Sequence, residues 1–300
     1  MGETLAMGRG RRPGLGTVEV VAAMTLAGSS VVVGKILSTR MPVFLAAEAS
    51  LIAALIAILP LQIARRAELA RLGRRELGSM FLQALCGIVL FRLLTLTGLR
   101  FTSAAQAGLV TSASPAVMAI LARLVLRERT GRRGLLGIAL TLAGLVTVNV
   151  GGAMAAASPG FLVGNAHVLG ATVCEALLTI FRKSSGGGIG SVTNTTVLVA
   201  MSALMLLPFA LLDLRGFALS SAGTAAWLGV AYYGAVATVI AYILWGDGAL
   251  RIPAARTGIA MAAMPVSALL LSALVLREPL GVVPVAGCAA VVAGIVVGSR

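Results

Sequence analysis

The chain has 300 residues, 59% of them apolar and 11% charged, against about 45–50% and about 25% in soluble domains. So few charged side chains cannot cover a soluble monomer of this size, which excludes an ordinary cytosolic enzyme, a disordered chain and a disulfide-stapled secreted domain. The net charge of +14 sits in short clusters between long apolar runs, without the continuous basic face that a nucleic acid needs.

Ten runs each have the length of a membrane-spanning helix, about 20 residues. In chain order they are Thr17–Leu37, Val43–Ile63, Leu77–Thr97, Ala104–Leu126, Gly134–Gly152, Phe161–Phe181, Val192–Leu212, Ala225–Trp245, Ala255–Leu276 and Val282–Gly298. None shows a period of two, and an aromatic content of 4% with 36 glycines suits close-packed helices better than a porin-type barrel. The expected class is therefore all-α: a polytopic membrane protein of ten transmembrane helices.

Orientation follows from the basic residues. With the N-terminus in the cytoplasm, eighteen Lys and Arg fall on the inner side, in clusters such as Arg65, Arg66, Arg71, Arg74 and Arg75. Four fall outside: Arg40, Arg100, Arg215 and Arg277. The positive-inside rule then places both termini in the cytoplasm of a cell (inner) membrane. Residues 1–16 read as a cytoplasmic tail before an uncleaved first helix.

Shifting the sequence by 150 residues lays 98–147 on 248–297 without a gap, with 18 of 50 positions identical. The matches include Pro115 with Pro265, and the run Leu-Val-Leu-Arg-Glu at 124–128 and 274–278. A shift of 148 puts Lys35 on Lys183 and Pro60 on Pro208. Two five-span repeats result, 17–152 and 161–299. Five is odd, so the second enters the membrane from the opposite side, the inverted-repeat build of many secondary transporters.

The ionisable groups within the spans need a reason, because charge at membrane depth is costly. Glu48 and Arg92 fall at similar depths below the outer boundary. The pair reads as a structural salt bridge, as Arg92 anchoring an anionic group with Glu48 as its resting partner, or as two side chains snorkelling to the interface. Glu175 is a candidate proton carrier or a glutamate hydrogen-bonded within its bundle. Lys35, near the end of its span, is expected to snorkel to the interface. Pro115 and Pro265 fall near the midpoints of spans four and nine. Each frees a carbonyl four residues back, at Thr111 and Met261, and Ser112 and Ser114 add hydroxyls beside the first. These six residues are expected to mark a cavity. Tyr232 and Tyr233 lie deep in span eight and are further candidates to line it, while Trp227 and Trp245 at its ends read as interface anchors. Cys86, Cys174 and Cys288 lie in separate spans, so no disulfide framework is expected. No metal-ligand cluster, phosphate loop or catalytic triad is present, and neither cofactor nor metal is expected.

The set Ser30-Val-Val-Val-Gly-Lys35, Ala104-Ala105, Gly108, Pro115, Leu126-Arg127-Glu128 and Ala241-Tyr-Ile-Leu-Trp245 resembles the EamA-type drug/metabolite transporters over about residues 17–299. The resemblance implies a ten-helix inner-membrane carrier with a central cavity, often an exporter of amino acids or other small metabolites. This chain departs from the family pattern at the second helix, where an arginine is common and Glu48 stands. The expected function is secondary transport of a small organic solute by alternating access, driven by protons or by the solute's own gradient. The rival readings are a flippase or membrane enzyme acting on a lipid-linked substrate, and a receptor or assembly subunit.

Overall fold

The computed structural model describes residues 13–70, 72–111, 113–114, 159–184, 189–251 and 263–278, with single positions and short runs between 117 and 143 and between 282 and 293. Every element among the described residues is helical. They are α1 (Pro13–Arg40), α2 (Val43–Ile63), α3 (Arg74–Phe101), α4 (Ala104–Thr111), α5 (Pro159–Ser184), α6 (Ser191–Arg215), α7 and α8 (Ala263–Leu276). The seventh, α7, is continuous through Gly223–Tyr232, Tyr233–Ile240 and Ala241–Arg251. Stretches of α1, α2, α3, α5, α6 and α7 are long and apolar enough to cross a membrane. Span four is described at its start and at scattered positions beyond, span nine from Ala263 onward, and span ten at seven of its seventeen positions; span five lies almost wholly outside the described residues.

Burial runs opposite to that of a soluble protein. Large apolar side chains face outward, with Leu274 76% and Leu204 73% exposed, while Glu48 and Arg92 are each 4% exposed. Outward-facing leucine costs nothing in lipid, and buried polar groups are satisfied only by partners on neighbouring helices. The main packed cluster joins α2 and α6 with parts of α3 and α7. A second joins α1, α3, α4 and α5 around Val32, Leu99 and Ala104.

The bundle has two ends. Arg40, Arg100 and Glu278 mark one, and Glu19, Glu68 and Arg182 the other. Repeat-related helices run in opposite senses: α1 starts at the Arg182 end and α5 at the Arg40 end, and α2/α6, α3/α7 and α4/α8 are likewise reversed. Four contacts make this visible. Glu19 pairs with Arg251, and Thr102 Oγ1 donates to Asn165 Oδ1 at 2.8 Å. Asp213 reaches the start of α2, and Glu68 the start of α6.

Those last two contacts explain how α2 and α6 begin. The first N–H groups of a helix have no partner within it. Pro42, which precedes α2, offers no side-chain cap. Asp213, near the far end of α6, supplies one: its Oδ2 accepts from Phe44 N–H at 3.1 Å and Leu45 N–H at 3.2 Å. At the opposite end Glu68, in a single helical turn (Arg66–Leu69) after α2, accepts from Thr193 Oγ1 at 2.7 Å in the first turn of α6. Each helix thus begins against a carboxylate at or just beyond its partner's end, where negative charge also suits the helix dipole.

Two widened turns interrupt the long helices, at Leu85–Leu90 in α3 and Tyr233–Ile240 in α7. Phe91 N–H donates to Cys86, and Ala241 N–H to Val236, each five residues back. Single π-helical turns of this kind often mark functional positions. The two end at Leu90 and Ile240, separated by the repeat spacing of 150.

Candidate functional site

The two π-helical turns face each other and bind across. Arg92 follows the turn of α3 by two residues, and its Nη2 donates to Thr238 Oγ1, inside the turn of α7, at 2.7 Å. Tyr242 follows the turn of α7 by two residues, and its hydroxyl donates to Gly87 O, inside the turn of α3, at 3.3 Å. Arg92 and Tyr242 stand 150 residues apart and make reciprocal contacts between the repeats. Thr238 Oγ1 passes its own proton to Tyr233 O at 2.8 Å, a carbonyl five residues back that the π geometry presents.

Around Arg92 the guanidinium is held by neutral groups. Nη1 donates to Ser50 Oγ at 2.6 Å and, more weakly, to Ala47 O at 3.4 Å. The ring of Tyr233 lies 4.6 Å from its central carbon, close enough for a cation–π contact. Ser50 is itself fixed by donating to Ala47 O at 2.8 Å. Three bonds engage Arg92 out of the five N–H donors an arginine carries.

Glu48 lies beside this cation without bonding it. No ion pair joins the two, although they interact electrostatically. The Oε2 atom of Glu48 is buried and accepts no hydrogen bond, and neither does the Oγ1 of Thr95, one turn beyond Arg92. The direct salt bridge that equal depths suggested is therefore absent. The site instead holds a buried cation with donors to spare and, next to it, a buried carboxyl group with an acceptor to spare. Gly234 permits this meeting: any Cβ there would overlap the Ser50 carbonyl and reach Ala54 N at 2.7 Å. The α7 backbone thus lies directly on α2 at the level of Ser50.

The other sequence-selected residues are dispersed. Tyr232 points toward α1, its hydroxyl 2.7 Å from Ser29 Oγ. Glu175 Oε2 accepts from Ser114 Oγ at 2.9 Å, tying α5 to the residue beside the span-four proline. Thr172, one turn before Glu175, donates its hydroxyl to Val168 O at 3.0 Å. Thr111 is fully buried and donates to Gly108 O at 3.0 Å. Pro265 is buried in the first turn of α8. Ser112, Pro115 and Met261 lie outside the described residues. Lys35 is half-buried and turned toward the end of α3. Because α1 continues to Arg40, it sits five residues inside the helix, where its Nζ donates to Leu99 O at 2.6 Å and Thr102 O at 2.7 Å.

Ser50, Thr238 and Tyr242 were not singled out as site residues from the sequence. Serine and threonine are ordinary in membrane helices, and nothing in one copy marks these two. The available signal was the repeat spacing, which sets Tyr242 opposite Arg92.

Comparison with known proteins adds to this geometry. The profile of the EamA-like transporter family matches residues 14–150 and again residues 162–300. The chain is 34% identical over 281 residues to the uncharacterized transporter YetK of Bacillus subtilis (strain 168), covering 93% of this chain and 85% of that one. It is 27% identical over 229 residues to an uncharacterized transporter of Archaeoglobus fulgidus, covering 75% and 78%. A solved crystal structure superposes with a TM-score of 0.68 at 19% identity, over 94% of this chain and 95% of that one, a likeness of fold.

Proposed function

The chain belongs to the EamA-like transporter family, and from that premise we propose that it is a secondary carrier exporting a small organic metabolite, an amino acid or a drug-like compound of similar size, by alternating access. The observation that carries this reading is the pairing at the centre: Arg92 with unused donors beside Glu48 with an unpartnered oxygen. Complementary charges left short of each other suit a solute that bears both signs, its carboxylate on Arg92 and its ammonium on Glu48. A water-excluded setting strengthens both contacts. Tyr233 and Tyr242 supply an aromatic face and a hydroxyl, and Tyr232, a residue away on α7, turns its hydroxyl to Ser29 of α1. Of the proline-centred residues, Thr111, Ser114 and Pro265 are assigned to the continuation of the path through the bundle; Ser112, Pro115 and Met261 are assigned to it from the sequence alone. Glu175, bonded to Ser114, is assigned the coupling proton. The Arg182 end, rich in arginine, is assigned to the cytoplasm with both termini, and the membrane is the cell's inner one.

Purified protein in proteoliposomes, loaded with a panel of unlabelled amino acids and offered radiolabelled ones, tests the reading by counterflow. Arg92→Ala should reduce counterflow at least about a hundredfold, the scale of truncating one partner of a buried charged contact. Arg92→Lys should fail as well, because an ammonium on a single stem cannot span Ser50 and Thr238 together. Glu48→Gln should lose zwitterionic solutes while sparing purely anionic ones. Full counterflow in correctly assembled Arg92→Ala would falsify the assignment.

A further inference from the structure

The triplet Leu-Arg-Glu, repeated at 126–128 and 276–278, has no part in the central site. We propose that the corner Leu276-Arg277-Glu278 is a releasable latch that closes the seam between the two repeats at the Arg40 end, with Lys35 as its charged counterpart. The proposal rests on the carrier reading, in that a latch has a purpose only where the seam opens.

The geometry is complete at atomic level. The helix α8 ends at Leu276, and Arg277 takes a left-handed conformation with φ 55°. That conformation is uncommon for a residue with a Cβ, and such strain concentrates at switch positions. It reverses the chain, so that Glu278 N–H returns to Ser272 O at 3.3 Å. The carboxylate then lies on the start of α4: Oε1 accepts from Ala104 N–H and Oε2 from Ala105 N–H, both at 3.1 Å. Ser103 Oγ accepts from the next amide, Gln106 N–H, at 3.2 Å. Ala107 N–H begins the regular ladder by donating to Ser103 O at 3.0 Å. Two of the leading amides of α4, a helix of the first repeat, therefore depend on a side chain of the second. Ala104 and Ala105 are 0% and 6% exposed, so release of Glu278 requires water to enter and replace it. The latch and the wetting of the seam are one event.

The surrounding contacts show which parts move as units. Within the first repeat α1 and α3 clasp each other twice. Lys35 holds the terminal carbonyls Leu99 and Thr102 of α3, and Arg100 of α3 donates to Ser38 O and Met41 O of α1, both at 3.2 Å. Lys35 is also near enough to Glu278 for a favourable Coulomb interaction. By contrast α8 meets this unit through glycines: a Cβ at Gly28 would overlap Ser267, and one at Gly108 would overlap Ala268. Backbones in direct contact separate along a smooth surface, with few side chains to disengage. Ser267 Oγ of α8 also donates to Thr25 O of α1 at 3.1 Å, and the charged corner closes the Arg40 end of that surface.

The test is cysteine accessibility in lipid nanodiscs, in the full chain with Cys86, Cys174 and Cys288 replaced by alanine. Val32→Cys reports on the latched seam. Leu51→Cys reports on the α2–α6 cluster. Both are buried, and each lies eight residues from the Arg40 end of its helix. Glu278→Gln should raise the maleimide labelling rate of Val32→Cys about tenfold, the scale of a lost charge-assisted contact, and leave Leu51→Cys unchanged. Glu278→Asp, one methylene shorter, and Lys35→Gln should act in the same direction and keep the test decisive if Glu278→Gln fails to assemble. Unchanged labelling of Val32→Cys in these variants overturns the latch, and so does an equal rise at Leu51→Cys, which would mean general loosening. No solute is needed, so the latch and the carrier reading stand or fall separately: normal counterflow with unchanged labelling removes the latch alone.

Discussion

Replacing Thr238 by valine keeps the shape of the side chain and removes both of its bonds, the one accepted from Arg92 and the one donated to Tyr233 O. A buried guanidinium donor is then left without its acceptor, at a cost of about 1–3 kcal/mol. Thr238→Val should therefore lower the thermal midpoint in detergent, and Thr238→Ser should restore it. Tyr242→Phe removes one long bond to Gly87 O and should cost less, about 0.5–1.5 kcal/mol. The difference between the two separates the members of a reciprocal pair: Arg92 carries a charge that must be satisfied, and Tyr242 carries only a hydroxyl. If the two variants are equally stable, the bonds around Arg92 are not what holds the π-helical turns together.

At the scale of elements, glycines decide how closely helices approach. Gly234→Ala places a methyl group against the Ser50 carbonyl and 2.7 Å from both Ala53 Cβ and Ala54 N. It should push α7 off α2, destabilise the protein by about 1–3 kcal/mol and reduce counterflow by separating Thr238 from the Ser50 side of Arg92. Gly78→Ala, which meets nothing within 4 Å, is the matched control and should leave melting and counterflow unchanged. The six spans that form α1, α2, α3, α5, α6 and α7 were legible in the sequence because lipid demands about 20 apolar residues in a row. Glu48 and Arg92 drew notice for the converse reason, since charges are rare at depth. The widened turns of α3 and α7 were not legible. A π-helical turn adds one residue to a helix and leaves the apolar composition unchanged, so Leu85–Leu90 reads like any other stretch of span three. The helix ends were also missed, by three to four residues in α3, because Arg74 and Arg100 are polar and still helical. That error hid the clasp between Lys35 and the end of α3.

On the scale of the whole molecule, carboxylates of the second repeat reach both α2 and α4 in the first. Residues 1–158 expressed alone should therefore be short-lived in the membrane, and co-expression with 159–300 should rescue them as a stable complex. Pulse–chase followed by co-purification checks this, and a first half that persists alone would show that the caps are dispensable. The same contacts impose an order on synthesis. The amides of Phe44 and Leu45 wait for a residue 169 and 168 positions later, and those of Ala104 and Ala105 for one 174 and 173 positions later. At ribosomal speeds of about 5–20 residues per second, that is roughly ten to thirty seconds. Through that interval the starts of α2 and α4 need water or the insertion machinery as a temporary partner. A ribosome that stalls before codon 213 leaves a chain with both helix starts unclothed, a form that membrane proteases can tell from the finished protein.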